Sequence, residues 1–151
     1  MIHIRIDDKG AIQSLANIAR SVGKGKKLYG MLGEALKAEH KKRFEKEQAS
    51  PEGEKWASLS DKYRAKKKKH KNKILIRDGN LKNLLRYQAS ERGVKFGSDR
   101  KYARLHHFGS KKSSGRGSGV PARPWLGLSR QNKDYLLGKT EHFLRQVMRK
   151  A

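Results

Sequence analysis

The sequence predicts an α+β fold: a small antiparallel or mixed sheet flanked by two long amphipathic helices and a C-terminal helix, with long basic loops. Three observations support this class. The first residues alternate apolar and polar side chains, residues 26–47 and 131–149 carry apolar side chains at helical spacing, and residues 84–98 form a hairpin pattern. Helix and strand patterns that do not alternate regularly are typical of an α+β domain. A length of 151 residues fits one domain, so we expect residues 1–151 to fold together.

The N-terminal segment is expected to be a strand with one buried face. Ile2, Ile4 and Ile6 alternate with His3 and Arg5, which is the period of two that a strand requires. The DDKG tetrapeptide that follows supplies two aspartates and a glycine, which suit a turn and the start of a helix.

Two amphipathic helices are expected next. The first should end before the glycines at positions 23 and 25, and the second runs from about Lys26 to Glu47 and is broken by Pro51 and Gly53. Their apolar positions are Ile12, Leu15, Ala16 and Ala19 in the first helix, and Leu28, Met31, Leu32, Ala35, Leu36 and Phe44 in the second.

Three short strands are expected in the middle of the chain. The tripeptide ILI at 74–76 is a strand candidate, and Asp78 and Gly79 then favour a turn. The next two strands form a hairpin connected by residues 90–93. The residues expected to share a buried face are Leu85, Tyr87 and Ala89 on the first of these strands, and Val94 and Phe96 on the second.

Two further helices are expected in the last third of the chain. The YARLHHFG segment is typical of one or two helical turns ended by Gly109. A closing helix from about Gln131 to Arg149 carries an apolar stripe. The stripe consists of Leu136, Thr140, Phe143, Leu144 and Val147.

The chain is strongly basic, with 38 Lys and Arg against 14 Asp and Glu and a formal charge of +24. Such a charge favours nucleic acid or acidic protein surfaces as partners. Basic loops are expected at 62–73 and 109–120. The first is interpreted either as a solvated, mobile loop or as a loop that binds polyanions, and the two are compatible. The cations expected to face DNA or a partner are Lys66, Lys67, Lys68, Lys69, Lys71, Lys73, Lys111, Lys112 and Arg116.

No pattern in the sequence indicates catalysis, a cofactor or a metal. The chain has no cysteine, no apolar run long enough to span a membrane, and no HExxH, P-loop or GxGxxG motif. His106 and His107 are adjacent, so on a helix their side chains point about 100° apart and make a poor metal-binding pair. We therefore expect a protein that is not an enzyme and that has no catalytic, cofactor-binding or metal-binding residues.

Four side chains are expected to have structural roles. Trp56 and Trp125 are interpreted as core or interface anchors. His106 is expected to make a structural hydrogen bond to a backbone carbonyl near Tyr102. Arg123, which lies between two prolines, is expected to pair with an acidic group inside the subunit or across an interface.

Five separated blocks carry a resemblance to a known family. The blocks are SPEGEKWASLS, ILIRDGNL, VKFGS, YARLHHFG and PARPWLGLS. In this order and at roughly these spacings they resemble the virion morphogenesis, or tail completion, proteins of Mu-like and P2-like tailed bacteriophages. Two positions depart from the usual pattern: residue 107 is His where Gln is common, and no proline precedes Leu59.

The family's motifs map onto positions spread through these blocks, here called the motif positions. The resemblance implies that they serve fold and assembly rather than catalysis. They are Pro51, Gly53, Trp56, Gly79, Leu81, Tyr102, His106, Phe108, Gly109, Arg123, Pro124, Trp125, Leu126 and Gly127.

The resemblance implies a structural protein of the phage neck, a tail completion or tail terminator protein that joins tail to head during virion assembly. It implies a homo-oligomeric ring, a hexamer or dodecamer, around the DNA channel at the head-tail connector. Expected partners are further copies of the chain, connector or portal-side proteins, tail-tube or terminator proteins, and packaged DNA contacted without sequence specificity, but no membrane. The expected location is the head-tail junction of the virion, and the host cytoplasm during assembly.

Two other functions remain open at this point. The charge also suits a sequence-independent nucleic-acid-binding protein of ribosomal or nucleoid type, which would bind phosphates with a steep dependence on salt. A metal-dependent nuclease that uses His106 and His107 is the third hypothesis, although the aspartates of the chain lie at predicted turns and caps.

Overall fold

The fold is built on a three-stranded antiparallel sheet, seen in a computed structural model that describes residues 2–5, 10–111 and 119–150. Phe96 lies at the centre of the middle strand, opposite Ile4 on one side and Tyr87 on the other. The predicted hairpin is therefore confirmed, and its turn is closed by the Ser90 N–H, which donates to the Gly93 carbonyl oxygen at 2.9 Å. The strands are β1 (Ile2–Arg5), β2 (Arg86–Ala89) and β3 (Val94–Ser98), in the order β1-β3-β2.

Part of the N-terminal prediction cannot be compared with the fold. The strand expected from the alternating isoleucines is present as β1. Ile6 and the turn expected at Asp7 and Asp8 lie outside the described residues.

The two N-terminal helices are confirmed as α1 (Ala11–Ser21) and α2 (Gly25–Lys42), and α2 packs on β2 and β3. The helix and the sheet approach closely at Gly33, where a Cβ atom would lie 2.3 Å from a ring carbon of Tyr87. Only glycine leaves room for this aromatic ring against the helix backbone. The Tyr87 hydroxyl then donates to the carboxylate of Glu34 at 2.8 Å.

Helix α2 continues into a π-helical turn, Arg43–Glu47, which ends at Gln48 in the left-handed conformation with φ 51°. The Gln48 side chain binds both backbone groups of Ile74: its Oε1 accepts from the Ile74 N–H at 2.6 Å, and its Nε2 donates to the Ile74 carbonyl at 3.2 Å. The strand predicted at 74–76 is wrong. Leu75 has φ 62°, which no strand accommodates, and a side chain rather than a neighbouring strand satisfies the backbone.

The basic segment is more ordered than a loop. Residues 61–66 form the short helix α3 (Asp61–Lys66), whose start is capped by the Ser60 hydroxyl, which accepts from the Tyr63 N–H at 3.2 Å. The prediction of a loop over the whole of 62–73 is therefore wrong for its first part, because a serine cap and an aspartate in the first turn favour a helix there. A second short helix, α4 (Asn80–Asn83), follows the turn at Gly79.

The last two predicted helices are confirmed as α5 (Lys101–Phe108) and α6 (Arg130–Arg149). Helix α6 begins with a capping box in which Ser129 and Asn132 bind each other's backbone N–H groups at 3.0 Å. It packs along α1 and α2 through the predicted stripe, in which Val147 is only partly buried. The predicted α+β class is thus confirmed. Among the described residues, no helix has both the length and the apolarity needed to cross a bilayer.

Candidate functional site

Trp125 is the centre of the region where the sequence blocks meet. Its side chain is fully buried, as predicted, and its indole N–H donates to the Ala103 carbonyl oxygen of α5 at 3.0 Å. Three rings surround it, with centroids between 5.8 and 6.3 Å away: Phe44, His107 and His40. The PARPWLGLS segment is therefore anchored to α5 and to the end of α2.

Trp56 connects a second block to the same region. It is buried, and its indole N–H donates to the Pro124 carbonyl oxygen at 2.8 Å. Its ring packs on Phe44 at a centroid distance of 5.6 Å, and its backbone N–H donates to the Gln48 carbonyl at 2.9 Å. Both tryptophans are core anchors in this structure, and each fixes a backbone carbonyl of another segment.

Arg123 joins the same two segments through its guanidinium. Nε donates to the Ala57 carbonyl at 2.8 Å and Nη2 donates to the Ser58 carbonyl at 3.1 Å, while the Arg123 backbone N–H donates to the His106 carbonyl at 2.8 Å. The side chain is buried, and burial lowers the pKa of its guanidinium. No acidic side chain pairs with Arg123 among the described residues, so the expectation of an acidic partner within the subunit is wrong, and backbone carbonyls accept from Nε and Nη2 instead. The alternative of an acidic partner across an interface stays a prediction.

Arg43 holds the other end of the PARPWLGLS segment. Its Nη1 donates to the carbonyl oxygens of Trp125 at 2.8 Å and Gly127 at 2.9 Å, and its Nη2 donates to the Asn132 side-chain oxygen at 2.8 Å. The Asn132 amide in turn donates to the Glu39 carboxylate at 2.7 Å. Burial lowers the pKa of the Arg43 guanidinium, and nearby carboxylates partly counteract this. One cation thereby ties the π-helical turn to the start of α6.

His40 completes this buried cluster as a neutral ring. Its Nδ1 donates to the Leu36 carbonyl at 2.8 Å, so its Nε2 is free to accept from the Gly127 N–H at 3.3 Å. The ring lies 4.5 Å from Phe96, centroid to centroid. Burial, reinforced by the positive charge of Arg43, lowers the pKa of His40 to about 3.

Sequence reasoning did not single out Arg43 or His40. Both lie on the apolar stripe of α2 and its extension, His40 four residues and Arg43 seven residues after Leu36. A polar residue within such a stripe is the signal that could have indicated a buried hydrogen-bonding role.

The two adjacent histidines of α5 have different surroundings. His107 Nδ1 accepts from the Leu126 N–H at 3.3 Å, and a glutamine carbonyl at this position would offer the same type of acceptor. His106 Nδ1 is buried without a hydrogen-bond partner among the described residues. The His106 ring instead packs edge-on against the Tyr102 ring, with their centroids 6.2 Å apart. The backbone hydrogen bond expected for His106 is therefore wrong. Burial lowers the pKa of both histidines.

An open cleft of about 820 Å³ adjoins this region. It lies between the segment before α3, the turn before α4, α5 and the segment that leads to Trp125. Four of the motif positions line it: Leu81, Tyr102, His106 and Arg123. Four of the five sequence blocks thus meet around this cleft, and VKFGS does not line it.

The remaining motif positions shape the backbone around the cleft and the tryptophans. Gly109 ends α5 with φ 73°, and a Cβ there would lie 2.6 Å from the Ala122 nitrogen. Pro51 lies against Gly127, and Gly53 is in the turn between Ser50 and Glu54. Leu81 and Leu126 are buried, Gly79 precedes α4, and Phe108 is 60% exposed at the surface.

The lysines of the basic segment divide into two groups. Lys66, Lys68, Lys69 and Lys71 are exposed. Lys67 is buried, and its ammonium donates to the carbonyl oxygens of His70 at 2.7 Å and Lys73 at 2.6 Å.

The other predicted cations have mixed positions. Lys73 is partly buried and donates to the Glu45 carbonyl oxygen, so it points back onto the fold with Lys67. Lys111 is exposed, whereas Lys112 and Arg116 lie outside the described residues. The interpretation of the whole run as solvated is therefore wrong for Lys67 and Lys73.

Within residues 2–5, 10–111 and 119–150, no group of three or more His, Asp or Glu side chains is placed to hold a metal ion. The polar groups that converge on Trp125 are engaged with backbone carbonyls and N–H groups, and they hold segments together.

Comparison with known proteins identifies the chain through its sequence. No curated protein and no solved structure matches it significantly. The phage virion morphogenesis family matches residues 6–145, nearly the whole chain and all five blocks. The chain therefore belongs to the phage virion morphogenesis family.

Proposed function

We propose that the protein acts at the head-tail junction of a tailed phage, where it completes the tail and joins it to the head. The observation that carries this proposal is the family match over residues 6–145, since the family's role is virion morphogenesis. The family suggests a structural rather than an enzymatic protein. The motif positions support such a role, because several of them bind other segments of the same chain.

The proposed assembly is a ring of identical subunits, a hexamer or dodecamer, around the DNA passage. The formal charge of +24 supports a position next to DNA or acidic neighbours. Lys66, Lys68, Lys69 and Lys71 project from the basic segment without fixed partners among the described residues. Lysine suits contact with moving DNA, because its ammonium is a hydrated point charge without a fixed bidentate geometry.

Deletion of the coding sequence from the phage or prophage genome tests the role at the junction. Negative-stain microscopy of the lysate should show DNA-filled heads and separate tails, and expression of the protein in trans should restore joined particles. Complete virions that lack the protein would contradict the proposal.

Native mass spectrometry of the purified protein tests the ring, alone and with the connector and tail-tube proteins of the same phage. A closed oligomer or a stoichiometric complex is expected. A chain that stays monomeric with each of these partners would overturn the proposed ring.

A free nucleic-acid-binding protein of nucleoid or ribosomal type is the second candidate, favoured only by the charge. It predicts submicromolar binding to duplex DNA or structured RNA at near-physiological salt, and virions that assemble normally without it. The deletion experiment therefore separates the two functions.

A further inference from the structure

We propose that a groove lined by residues near the two ends of the chain, outside the motif blocks, binds an acidic segment of another virion protein, anchored by apolar side chains. This end groove has a volume of about 610 Å³ and lies between the turn that joins α1 to α2, the first part of α2 and the last part of α6. None of the motif positions lines it. This inference rests on the proposed function only in assuming that the protein assembles with other virion proteins.

The walls of the end groove are mostly apolar, with the uncharged polar side chain of Gln146 among them. Val22, Met31, Phe143 and Val147 line it, and Val22 is 53% exposed. Ile18 lies one helical turn before Val22 on the same face of α1 and is 49% exposed. Exposed apolar side chains beside a concave surface lose contact with water only when another chain covers them, which is typical of an interaction site.

The rim of the end groove is uniformly positive. Lys24 and Lys27 at the start of α2 and Lys150 after α6 line the same groove, and among the described residues no Asp or Glu lines it. Residues 11–33 and 142–150 contain no acidic residue. Glu91 lies against Gly25 at the start of α2 but does not line the groove.

The apolar walls and the lysine rim together indicate which kind of ligand the groove binds. The chain has only 14 Asp and Glu against 38 Lys and Arg, so a second copy offers few acidic segments that could pair with these three lysines. Phosphates of a nucleic acid would pair with the lysines but leave the aliphatic walls exposed to water. An acidic segment with apolar anchors, such as an amphipathic helix laid in the groove, satisfies both.

Site-specific photo-cross-linking in virion-producing cells tests this inference. A photoreactive amino acid is placed at Val22 in the groove, with a matched control at Ala38, which is exposed on α2. Mass spectrometry of the cross-linked product should identify a segment of a different virion protein, with net negative charge and apolar residues, from Val22 and not from Ala38. A cross-link to another copy of this chain or to nucleic acid, or none, would overturn the inference.

Charge reversal tests the rim with the same readout. Lys24→Glu with Lys27→Glu should lower the Val22 cross-link yield at least tenfold, because both lysines line the groove. Lys41→Glu with Lys42→Glu makes the same change in net charge at exposed positions that do not line it, and should leave the yield within twofold. Equal losses in the two variants would show attraction by overall charge and would contradict a specific rim.

Failure of this inference and failure of the proposed function give different results. Unjoined heads and tails after deletion, combined with no cross-link at Val22, would support the role at the junction and refute the end groove. A specific cross-link from Val22 to an acidic segment, combined with a phage that assembles without the protein, would support the end groove and refute the role at the junction.

Discussion

The Arg43 guanidinium donates to the backbone carbonyl of Trp125 at 2.8 Å, across 82 residues of sequence. The contact joins the π-helical turn after α2 to the segment that precedes α6, and both side chains are buried. A buried cation that donates to backbone carbonyls of another segment fixes the position of that segment.

Replacement of this cation should cost a large part of the stability. Arg43→Leu leaves the carbonyls of Trp125 and Gly127 without this donor, and each unpaired buried acceptor costs about 1–3 kcal/mol, so we expect a loss of roughly 3 kcal/mol or more. Urea denaturation gives the free energy of unfolding. Arg104→Leu, at an exposed residue that stacks on Phe108, is the control and should change it by less than about 0.5 kcal/mol. Equal losses would show that the hydrogen bonds of Arg43 contribute little.

Truncation of the central tryptophan should be similarly severe. Trp125→Ala removes a fully buried ring and should lower the free energy of unfolding by about 3–5 kcal/mol. Phe108→Ala removes an aromatic ring that is 60% exposed and should change it by less than about 0.5 kcal/mol. Guanidinium denaturation followed by circular dichroism measures both. A near-neutral Trp125→Ala would show that the segment is anchored elsewhere.

Stability should decrease as the pH falls below about 6.5. His40 has a pKa of about 3 in the folded protein and 6.5 as a free residue, so the unfolded chain binds more protons between these values. The contribution is complete above pH 6.5 and is lost progressively as the pH falls toward 3. The limiting slope for one histidine is about 1.4 kcal/mol per pH unit.

His40→Gln isolates this contribution, because it removes the titrating ring. The free energy of unfolding, measured by urea denaturation from pH 7.5 to 4.5, should fall less steeply in the variant than in the native protein. His106 and His107, whose pKa values are also lowered by burial, should contribute to the slope that remains. Identical slopes in the two proteins would contradict a neutral, buried His40.

Two glycines on the same helix should respond in opposite directions to alanine. Gly33→Ala places a Cβ 2.3 Å from the Tyr87 ring and should destabilise the contact between α2 and the sheet by about 1–3 kcal/mol. Gly30→Ala meets nothing within 4 Å and should stabilise α2 by about 0.5–1 kcal/mol. Thermal unfolding of both variants measures the difference. A Gly33→Ala protein as stable as Gly30→Ala would show that α2 and Tyr87 do not pack this closely.

The exposed lysines of the basic segment should contribute to any contact with DNA. Replacement of Lys68, Lys69 and Lys71 by Gln should reduce the slope of log K against log salt for duplex DNA by about 2 to 3, since each phosphate contact contributes about 0.9. The matched control replaces Lys41, Lys42 and Lys46, which are exposed on α2 and its extension. Fluorescence anisotropy at several salt concentrations measures the slopes. An equal reduction in the control would indicate attraction by overall charge.

Much of the fold was predictable because its helices and hairpin follow simple periodicities. The stripe of α6 and the alternation around Phe96 are each produced by one buried face. The strand predicted at 74–76 was wrong because a short apolar run has the same composition in a strand and in a buried turn. What distinguishes them is Gln48, which is 26 residues away and binds the Ile74 backbone.

The sequence predicted which residues form much of the candidate site, but it did not predict their hydrogen-bond partners. The sequence indicated that Trp56, Trp125 and Arg123 are anchors, but not that their polar atoms bind backbone carbonyls of distant segments. The roles of Arg43 and His40 depend on where the chain after residue 120 returns to α2. No local sequence pattern predicts this long-range contact.

The two hydrogen bonds of the Lys67 ammonium affect how the neighbouring lysines could meet a polyanion. The Lys67 ammonium donates to the carbonyl oxygens of His70 and Lys73, so the backbone that carries Lys68, Lys69 and Lys71 is already ordered in the folded protein. A flexible tail loses conformational entropy when it binds, and that loss subtracts from its affinity. Here, much of the ordering of residues 67–73 takes place when the protein folds, because Lys67 is buried and bound while Lys68, Lys69 and Lys71 stay exposed.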